Sequence, residues 1–241
     1  MKFLLYSLTL LVAHDSKAGD TPVNLVSKEA WVNFEGWFTS GSIAGSASEK
    51  KWKWQKPGKL VIHNTDKAAE NPKNIVSIND YGDVDLEIEF MIPKASNSGL
   101  YFMRRYELQI LDSYGKPDKS LSFGDCGGIY QRWDDSKPTN DEKGFEGSAP
   151  GTNASAAPGA WQKFQVQFRA PRFDTKGKKT ENARFVRVVH NGVTIHEDVE
   201  VTGPTRGGHG DNEVAVAPLM IQGNHGPVAI RKMIVKSAQF E

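Results

Sequence analysis

Short runs in which apolar and polar residues alternate constrain this chain most strongly, because side chains on a β-strand point to opposite faces in turn. The clearest run extends from Asp83 to Ile92, with five apolar residues on one face and four carboxylates on the other. Pro93 then ends the strand or places it at a sheet edge. Phe164 to Phe168 alternates in the same way, and no long helical periodicity is present. The pattern predicts an all-β sandwich or barrel.

The four carboxylates of that run, which include Glu87 and Glu89, have two interpretations. Four acids in a row would suit a metal or catalytic face. A face that contacts water is the commoner arrangement, because ionised side chains are rarely buried without partners. We therefore expect the carboxylates to face solvent.

A β-hairpin is predicted around Asn191-Gly192, since these residues supply the two positive-φ positions of a type I′ turn. In the register that this turn implies, Val188 faces Ile195 and His196 opposes Arg187. We interpret the histidine first as a strand residue and only secondarily as a ligand.

The N-terminus resembles a secretory signal peptide over residues 1–18. Lys2 precedes an apolar run over residues 3–13, and Ser16-Lys17-Ala18 fits a cleavage site for small residues. The run is too short to span a bilayer, and no later stretch approaches the roughly 20 apolar residues of a transmembrane helix. We expect a periplasmic or secreted protein without membrane insertion, in which residues 19–241 form one β-sandwich domain.

Charge and cysteine content exclude several classes of function. Thirty Lys and Arg balance 29 Asp and Glu without a basic block, so nucleic acid is not an expected partner. Cys126 is the only cysteine, which excludes an intramolecular disulfide and leaves a packed small residue as its simplest role. No phosphate-binding glycine loop, paired-cysteine motif or zinc-protease motif occurs. The sequence leaves the oligomeric state open.

Long polar connections are candidates for the rim of a binding cleft. Residues 131–160 carry several prolines and little periodicity, and structureless loops of this length are uncommon unless they contribute to binding. A second candidate is the segment from Gly41 to Gly58, where Trp52 and Trp54 lie two residues apart. Tryptophans on one strand face stack on sugars or pack in a core. One short helical turn is predicted at residues 28–31.

The most informative stretch runs from Asn97 to Ser113. Tyr106, Leu108 and Ile110 alternate with polar residues and share a face that we expect to be buried. The opposite face carries Arg105, Glu107 and Gln109.

Tyr101 and Met103 precede Arg105 with the same parity. One continuous strand would therefore present an aromatic ring, a cation, a carboxylate and an amide in a row, which is the mixture that a sugar-binding cleft requires. A bulge at Arg104-Arg105 would break this parity.

A two-carboxylate glycosidase would use Glu107 and Asp112, but strand geometry opposes this pairing. Five residues at about 3.3 Å each separate the two by roughly 17 Å on opposite faces, whereas such pairs lie about 5 to 9.5 Å apart. Asp112 fits a turn at the end of the strand. A partner carboxylate from another strand, such as Glu87 or Glu89, remains an alternative.

A single carboxylate surrounded by donors suits a different reaction. Removal of a proton next to a carbonyl needs one general base, together with donors or a metal that hold the enolate oxygen. The residues of the right kind are Arg105, Gln109, Tyr130, Gln222 and His225.

Six segments in this order resemble the 3-keto-disaccharide hydrolase family, also described as 3-keto-glucoside 1,2-lyase/2-hydroxy-3-keto-glucal hydratase. The resemblance extends from about Trp37 to Glu241. The segments are Asn97-Ser98-Gly99-Leu100-Tyr101, residues 106–113, Gly127-Gly128-Ile129-Tyr130, residues 158–163, His190-Asn191-Gly192-Val193 and residues 221–228. One departure is Ala160, which stands where an acidic residue is frequent.

The resemblance implies a concanavalin A-like jelly roll of two antiparallel sheets, with long loops around a sugar cleft. It implies exported enzymes that act on glycosides oxidised at C3, where the ketone acidifies the C2 proton and the C1 aglycone leaves by elimination. A small glycoside or oligosaccharide is then the partner, and a divalent cation is a possible cofactor whose ligands the sequence does not identify.

The same resemblance assigns roles to individual residues. Glu107 and His225 are the implied catalytic residues, and either one could be the base or the acid. Asp112 is expected to be a structural residue next to the site that does not itself contact the sugar. The residues that bind sugar and enolate oxygens are Arg105, Gln109, Tyr130, Gln222, Tyr101 and Arg104. The alternatives are a non-catalytic carbohydrate-binding module of the same fold and a two-carboxylate glycoside hydrolase.

Overall fold

The structure is a computed structural model that describes residues 21–64, 73–210 and 212–240, with the backbone alone for residues 52–57. The predicted signal peptide, residues 1–18, lies outside the described residues and stays a prediction. Within the described ranges, no helix is both long enough and apolar enough to span a membrane.

The described residues form strands joined by loops, with only short helical segments. Single turns of 3-10 helix occur at Lys28–Ala30, where a helical turn was predicted, and at Asp118–Ser120, and one turn of α-helix, α1, spans Asn140–Lys143. The strands are β1 (Val23–Asn24), β2 (Trp37–Gly45), β3 (Trp52–Asn64), β4 (Ile75–Tyr81), β5 (Val84–Met91), β6 (Asn97–Phe102), β7 (Tyr106–Leu111), β8 (Arg132–Trp133), β9 (Gly144–Phe145), β10 (Trp161–Arg169), β11 (Arg172–Phe173), β12 (Lys179–Glu181), β13 (Ala183–His190), β14 (Val193–Val201), β15 (Ala217–Ile221) and β16 (Ala229–Ser237).

Two antiparallel sheets make up the sandwich. The larger sheet has the order β14-β13-β10-β5-β16-β3-β2, and β1 also pairs with β16. The smaller sheet has the order β4-β15-β6-β7. Two further pairs, β8 with β9 and β11 with β12, lie in the connections. The prediction of an all-β, two-sheet antiparallel jelly roll is confirmed.

Aromatic side chains join the two sheets across the core. Phe102 of β6 stacks on Phe168 of β10 with ring centroids 4.8 Å apart, and it meets the edge of Phe185 at 5.4 Å. Tyr106 of β7 lies 5.5 Å from Phe168. Offset and edge-to-face contacts of this kind add about 0.5–1.5 kcal/mol to the free energy gained by burial. They fix which face of β6 and β7 points into the core.

The alternation of β5 is confirmed, because its apolar residues are buried and its acids lie on the outer face of the larger sheet. Glu87 contacts Lys232 at 2.6 Å and Lys163 at 3.7 Å, and Glu89 contacts Arg231 at 2.6 Å. These carboxylates therefore form surface ion pairs rather than a catalytic face.

The β13–β14 hairpin has the predicted turn, with positive φ at Asn191 and Gly192. The predicted register of the hairpin is correct for the two residue pairs next to the turn and wrong beyond them. Val188 pairs with His196 rather than with Ile195, because a bulge shifts the register between Val188 and Val189. The imidazole of His196 consequently points inward and is buried.

The prediction of a rim loop between Gly41 and Gly58 was wrong. Most of this segment belongs to β2 and β3, which pair with several register shifts. The side chains of Trp52 and Trp54 lie outside the described residues. Residues 131–160 are largely irregular, as expected, apart from β8, α1 and β9.

Candidate active site

The β6–β7 hairpin forms the floor of the candidate site. Its turn contains Met103 and Arg104, whose φ angles are 54° and 56°. The prediction of one continuous strand from Tyr101 to Gln109 was therefore wrong, because the chain reverses between them. The reversal still brings the right groups together, since Tyr101 pairs with Glu107 across the two strands.

The face of this hairpin opposite the core opens into a pocket of about 270 Å³. Six of the residues predicted from the sequence line it, and their catalytic and binding roles stay predictions. Arg206 and Gly207 line it as well and were not predicted. The lining residues are Asn97, Tyr101, Glu107, Gln109, Tyr130, Arg206, Gly207, Gln222 and His225.

Glu107 is the most unusual group in the pocket, since its side chain is charged in most environments and is here only 3% exposed. Burial raises the pKa of Glu107 to about 8, and a hydrogen bond with Tyr101 opposes this shift in part. Its backbone N–H donates to Oγ1 of Thr205 at 3.0 Å, which fixes the main chain beneath the carboxyl group. In the free protein, Glu107 is mostly protonated at pH 7.

Gly99 provides the space that the Glu107 carboxyl group occupies. A Cβ atom at position 99 would lie 2.2 Å from Oε1 of Glu107 and 3.0 Å from the ring of Tyr101. Since Gly99 pairs with Gln109 on β7, the glycine lies directly beside the acid on the pocket face. Any side chain at this position would displace the carboxyl group.

Residues 127–130 extend the smaller sheet beyond β7. Gln109 donates its N–H to the carbonyl of Gly128 at 2.8 Å and accepts from the N–H of Gly127 at 2.8 Å. Tyr130 donates its N–H to the carbonyl of Glu107 at 3.1 Å. These backbone bonds bring the Tyr130 side chain to the edge of the pocket beside Glu107.

Gln222 reaches the pocket from the end of β15. Its N–H donates to the carbonyl of Gly99 at 2.9 Å, and its carbonyl accepts from the hydroxyl of Ser98 at 2.8 Å. The side-chain amide donates to the phenol oxygen of Tyr101 at 3.4 Å. Burial, reinforced by the neighbouring Glu107, raises the pKa of Tyr101, so the phenol remains a neutral hydrogen-bond donor.

His225 lies on the loop that follows Gln222 and is accessible to solvent. Its Nδ1 lies 2.7 Å from Oδ1 of Asn224, an acceptor, so Nδ1 carries the hydrogen and Nε2 keeps its lone pair. Burial and the nearby Lys50 ammonium lower the pKa of His225. The imidazole is therefore neutral at pH 7 and able to accept a proton.

Asn64 holds the loop of His225 in place. Its Nδ2 donates to the carbonyls of Gly223 and Gly226, each at 2.8 Å, and its Oδ1 accepts from the N–H of Val228 at 2.6 Å. Because Asn64 is fully buried at the end of β3, the position of the imidazole depends on a residue outside the pocket.

Neither Arg105 nor Arg104 lines the pocket, and their predicted role in binding sugar oxygens stays a prediction. Arg105 is turned away by the hairpin turn, and its guanidinium donates to the carbonyls of Asn212 at 2.7 Å and Met103 at 3.0 Å. Arg206 supplies the pocket's arginine instead. No local sequence pattern around position 206 identifies this arginine as a pocket residue, because its placement depends on how a long loop folds back.

Asp112 lies at the end of β7 and outside the pocket lining. Its Oδ2 accepts from the N–H of Ala95 at 2.8 Å and lies 3.2 Å from the Lys94 ammonium. These contacts hold the turn before β6, which matches the expected role at a strand end. Glu87 and Glu89 also lie elsewhere, so among the described residues Glu107 is the only carboxylate that lines the pocket.

A divalent cation in this pocket would meet one carboxyl group, Glu107, and one imidazole, His225, among amides and phenols. In the part of the chain that the structure describes, no three His, Cys, Asp or Glu side chains converge closely enough to hold a metal ion. Protein metal sites usually combine several such ligands. The residues present do not form a complete ligand set for a divalent cation.

Residues 27–236 match the family model described as a 3-keto-alpha-glucoside-1,2-lyase-like domain. No curated protein sequence matches the chain.

The fold is similar to that of two solved structures from Parabacteroides distasonis ATCC 8503, each described as a "putative glycosyl hydrolase". One is 20% identical with a TM-score of 0.59, over 90% of this chain and 84% of that chain. The other is 14% identical with a TM-score of 0.54, over 90% of this chain and 100% of that chain. Since the family model matches most of the sequence, the chain belongs to the family of 3-keto-alpha-glucoside-1,2-lyase-like domains.

Proposed function

We propose that this protein cleaves glycosides whose sugar carries a ketone at C3, by removing the proton at C2. The observation that supports this most directly is the isolated carboxyl group of Glu107, buried in a pocket whose other described lining residues include no second carboxylate. A conventional glycosidase needs two carboxyl groups on either side of the glycosidic bond. Elimination next to a ketone needs only one acid and one base.

The protonation states of His225 and Glu107 indicate which of them acts as the base and which as the acid. His225 is neutral at pH 7 and has a free Nε2 lone pair, so it acts as the base. Glu107, with a pKa raised to about 8, is protonated and acts as the acid. An acid and a base whose pKa values lie on either side of neutrality are the arrangement that general acid–base catalysis favours.

In the first step His225 takes the C2 proton. The electron pair of the C2–H bond first forms an enolate, whose negative charge lies on the C3 oxygen. The enolate then reforms the C3 ketone and the pair forms the C1=C2 double bond while the C1–O bond breaks, and the departing aglycone oxygen takes the proton of Glu107. Water then adds across the double bond: its oxygen joins C1 and the imidazolium returns a proton to C2. The Glu107 carboxylate recovers a proton from the water. The net result is hydrolysis, reached without a second carboxylate.

Deuterium exchange at C2 separates the base from the acid. A carbon-linked 3-keto-glucoside has no leaving group, so in D₂O its C2 proton exchanges by base action alone, which proton NMR follows. Aglycone release is measured in parallel with a 3-keto-disaccharide, together with the ultraviolet band of the unsaturated keto-sugar.

We expect wild type to show both activities. Glu107→Gln should retain exchange and lose aglycone release by at least about 100-fold, whereas His225→Ala should lose both. Glu87→Gln, a matched change on the outer face of the larger sheet, should alter neither.

Two results would contradict the proposal. If wild type binds the keto-sugar but shows neither exchange nor release, the protein is a carbohydrate-binding module. If Glu107→Gln abolishes exchange and His225→Ala does not, the assignments of acid and base are reversed.

A further inference from the structure

A glycine-rich loop, residues 203–210, crosses the start of β7 and is fastened there by Thr205. The N–H of Thr205 donates to the carbonyl of Arg105 at 2.8 Å, and its hydroxyl lies 3.0 Å both from that carbonyl and from the N–H of Glu107. Further along, the N–H of His209 donates to the carbonyl of Arg104 at 2.7 Å. The loop is thus bound to the same strand that carries the catalytic acid.

Arg206 follows directly after this anchor. Its N–H donates to the carbonyl of Gln131 at 2.8 Å, so its backbone is held from both sides of the pocket. The next residue, Gly207, has a φ of 82°, and a Cβ there would lie 3.0 Å from the Tyr101 phenol oxygen. The main chain therefore passes close over the pocket and delivers the Arg206 side chain to its edge.

The guanidinium of Arg206 lies over an aromatic ring, with Cζ 3.6 Å from the ring centroid of Trp133. The indole is itself held, since its Nε1 donates to Oδ1 of Asp135 at 3.0 Å and β8 pairs with β9. Stacking of this type fixes the plane of a guanidinium while it leaves the N–H groups at the edge free to donate.

The side-chain N–H groups of Arg206 have no acceptor among the described residues. Across residues 21–64, 73–210 and 212–240, its side chain takes part in no ion pair or hydrogen bond. The neighbouring Arg105 and Arg132 differ in this respect. Arg105 is bonded to two backbone carbonyls, and Arg132 donates to the Thr202 hydroxyl at 2.6 Å. Arg206 therefore brings a permanent positive charge to the pocket, and its side-chain N–H groups are available to bind a ligand.

We propose that Arg206 binds the C3 oxygen of the substrate and stabilises the negative charge that develops there as the C2 proton leaves, and that Trp133 is the positioning residue that holds its guanidinium in plane. This inference rests on the proposed function. Donors aimed at the oxygen where charge develops act in the transition state, and loss of one typically lowers kcat by about 10²–10³-fold.

The experiment compares Arg206→Gln and Arg206→Lys with wild type, in both C2 exchange and aglycone release. We expect Arg206→Gln to lower kcat for both by about 100-fold or more, because the two reactions share the enolate. Arg206→Lys should recover part of the loss, since it keeps the charge without the planar fork. Millimolar guanidinium added to Arg206→Gln should also raise the rate, which no structural role of the residue would explain.

Trp133 is tested by a pair of variants. Trp133→Phe retains an aromatic face and should keep kcat within about threefold, whereas Trp133→Leu should lower kcat about tenfold with little change in KM. Arg187→Gln, which removes an exposed arginine on β13, serves as the control and should match wild type.

The outcomes distinguish this inference from the proposed function. Wild type without exchange or release overturns both. An active wild type with unchanged C2 exchange in Arg206→Gln overturns the role of Arg206 alone. A loss confined to KM, and seen only with acidic aglycones, likewise overturns it, because the arginine would then bind the leaving group instead of the enolate.

Discussion

Gly99→Ala tests whether the position of the Glu107 carboxyl group matters, since it changes neither Glu107 nor His225. The new methyl carbon would lie 2.2 Å from Oε1 of Glu107, and ordinary contact begins at 3.4 Å. The oxygen must therefore retreat by about 1.2 Å, and the Tyr101 ring, 3.0 Å from the methyl, limits movement on that side. A displacement of about 1 Å in a reacting group lowers rates by about 100-fold, or about 2.7 kcal/mol in activation free energy.

The assay measures kcat/KM for aglycone release beside the melting temperature. Gly99 has an ordinary strand conformation, so alanine should change the unfolding free energy by no more than about 1–2 kcal/mol. Gly124→Ala, whose methyl would have only ordinary contacts at 3.7 Å and beyond, is the control. In a Glu107→Asp background, where the acid is about 1.5 Å shorter, Gly99→Ala should cost less than about fivefold.

Full turnover by a folded Gly99→Ala variant would refute the reasoning. It would mean either that the carboxyl group moves away without loss or that it takes no part in the reaction. Equal losses in the glutamate and aspartate backgrounds would show that the methyl acts through some other contact.

Two further predictions concern stability. Burial raises the pKa of Glu107 from 4.5 to about 8, so the protonated side chain contributes to stability fully below pH 4.5, and this contribution is lost as the pH rises through 8. Between pH 6 and pH 9, urea unfolding should show that wild type loses about 3 kcal/mol more unfolding free energy than Glu107→Gln. Parallel pH profiles of the two proteins would contradict this. Asn64→Ala removes three hydrogen bonds from the loop that carries His225. We therefore expect the unfolding free energy to fall by about 2–4 kcal/mol and C2 exchange to slow. Unchanged exchange would show that the loop keeps its shape without Asn64.

The parts of the fold that local patterns determine could be predicted from the sequence. Alternation over residues 83–92 correctly identifies β5 and its buried face, because a period of two has one structural explanation in a sheet. The Asn191-Gly192 turn follows from the two positive φ angles that these residues tolerate. The same periodicity places Glu107 and Gln109 on one face, which the structure confirms.

The parts that depend on tertiary contacts could not be predicted. Met103 and Arg104 adopt positive φ although neither residue favours it, so the turn that removes Arg105 from the pocket leaves no local signal. The bulge after Val188 likewise has no local sequence pattern that predicts it. Arg206 reaches the pocket only because Thr205 fastens its loop to a strand about 100 residues earlier, and no spacing rule relates the two.

The way in which the loops attach to the hairpin has a consequence for how this pocket can diversify. Residues 127–130, Thr205 and Gln222 are joined to β6 and β7 mainly through main-chain hydrogen bonds, which do not depend on the identity of most side chains. Substitutions along these loops can therefore alter which sugars and aglycones fit while the hairpin keeps the acid in place. We expect relatives with different substrates to differ chiefly at loop positions such as Tyr130, and directed evolution of new specificities to succeed there first.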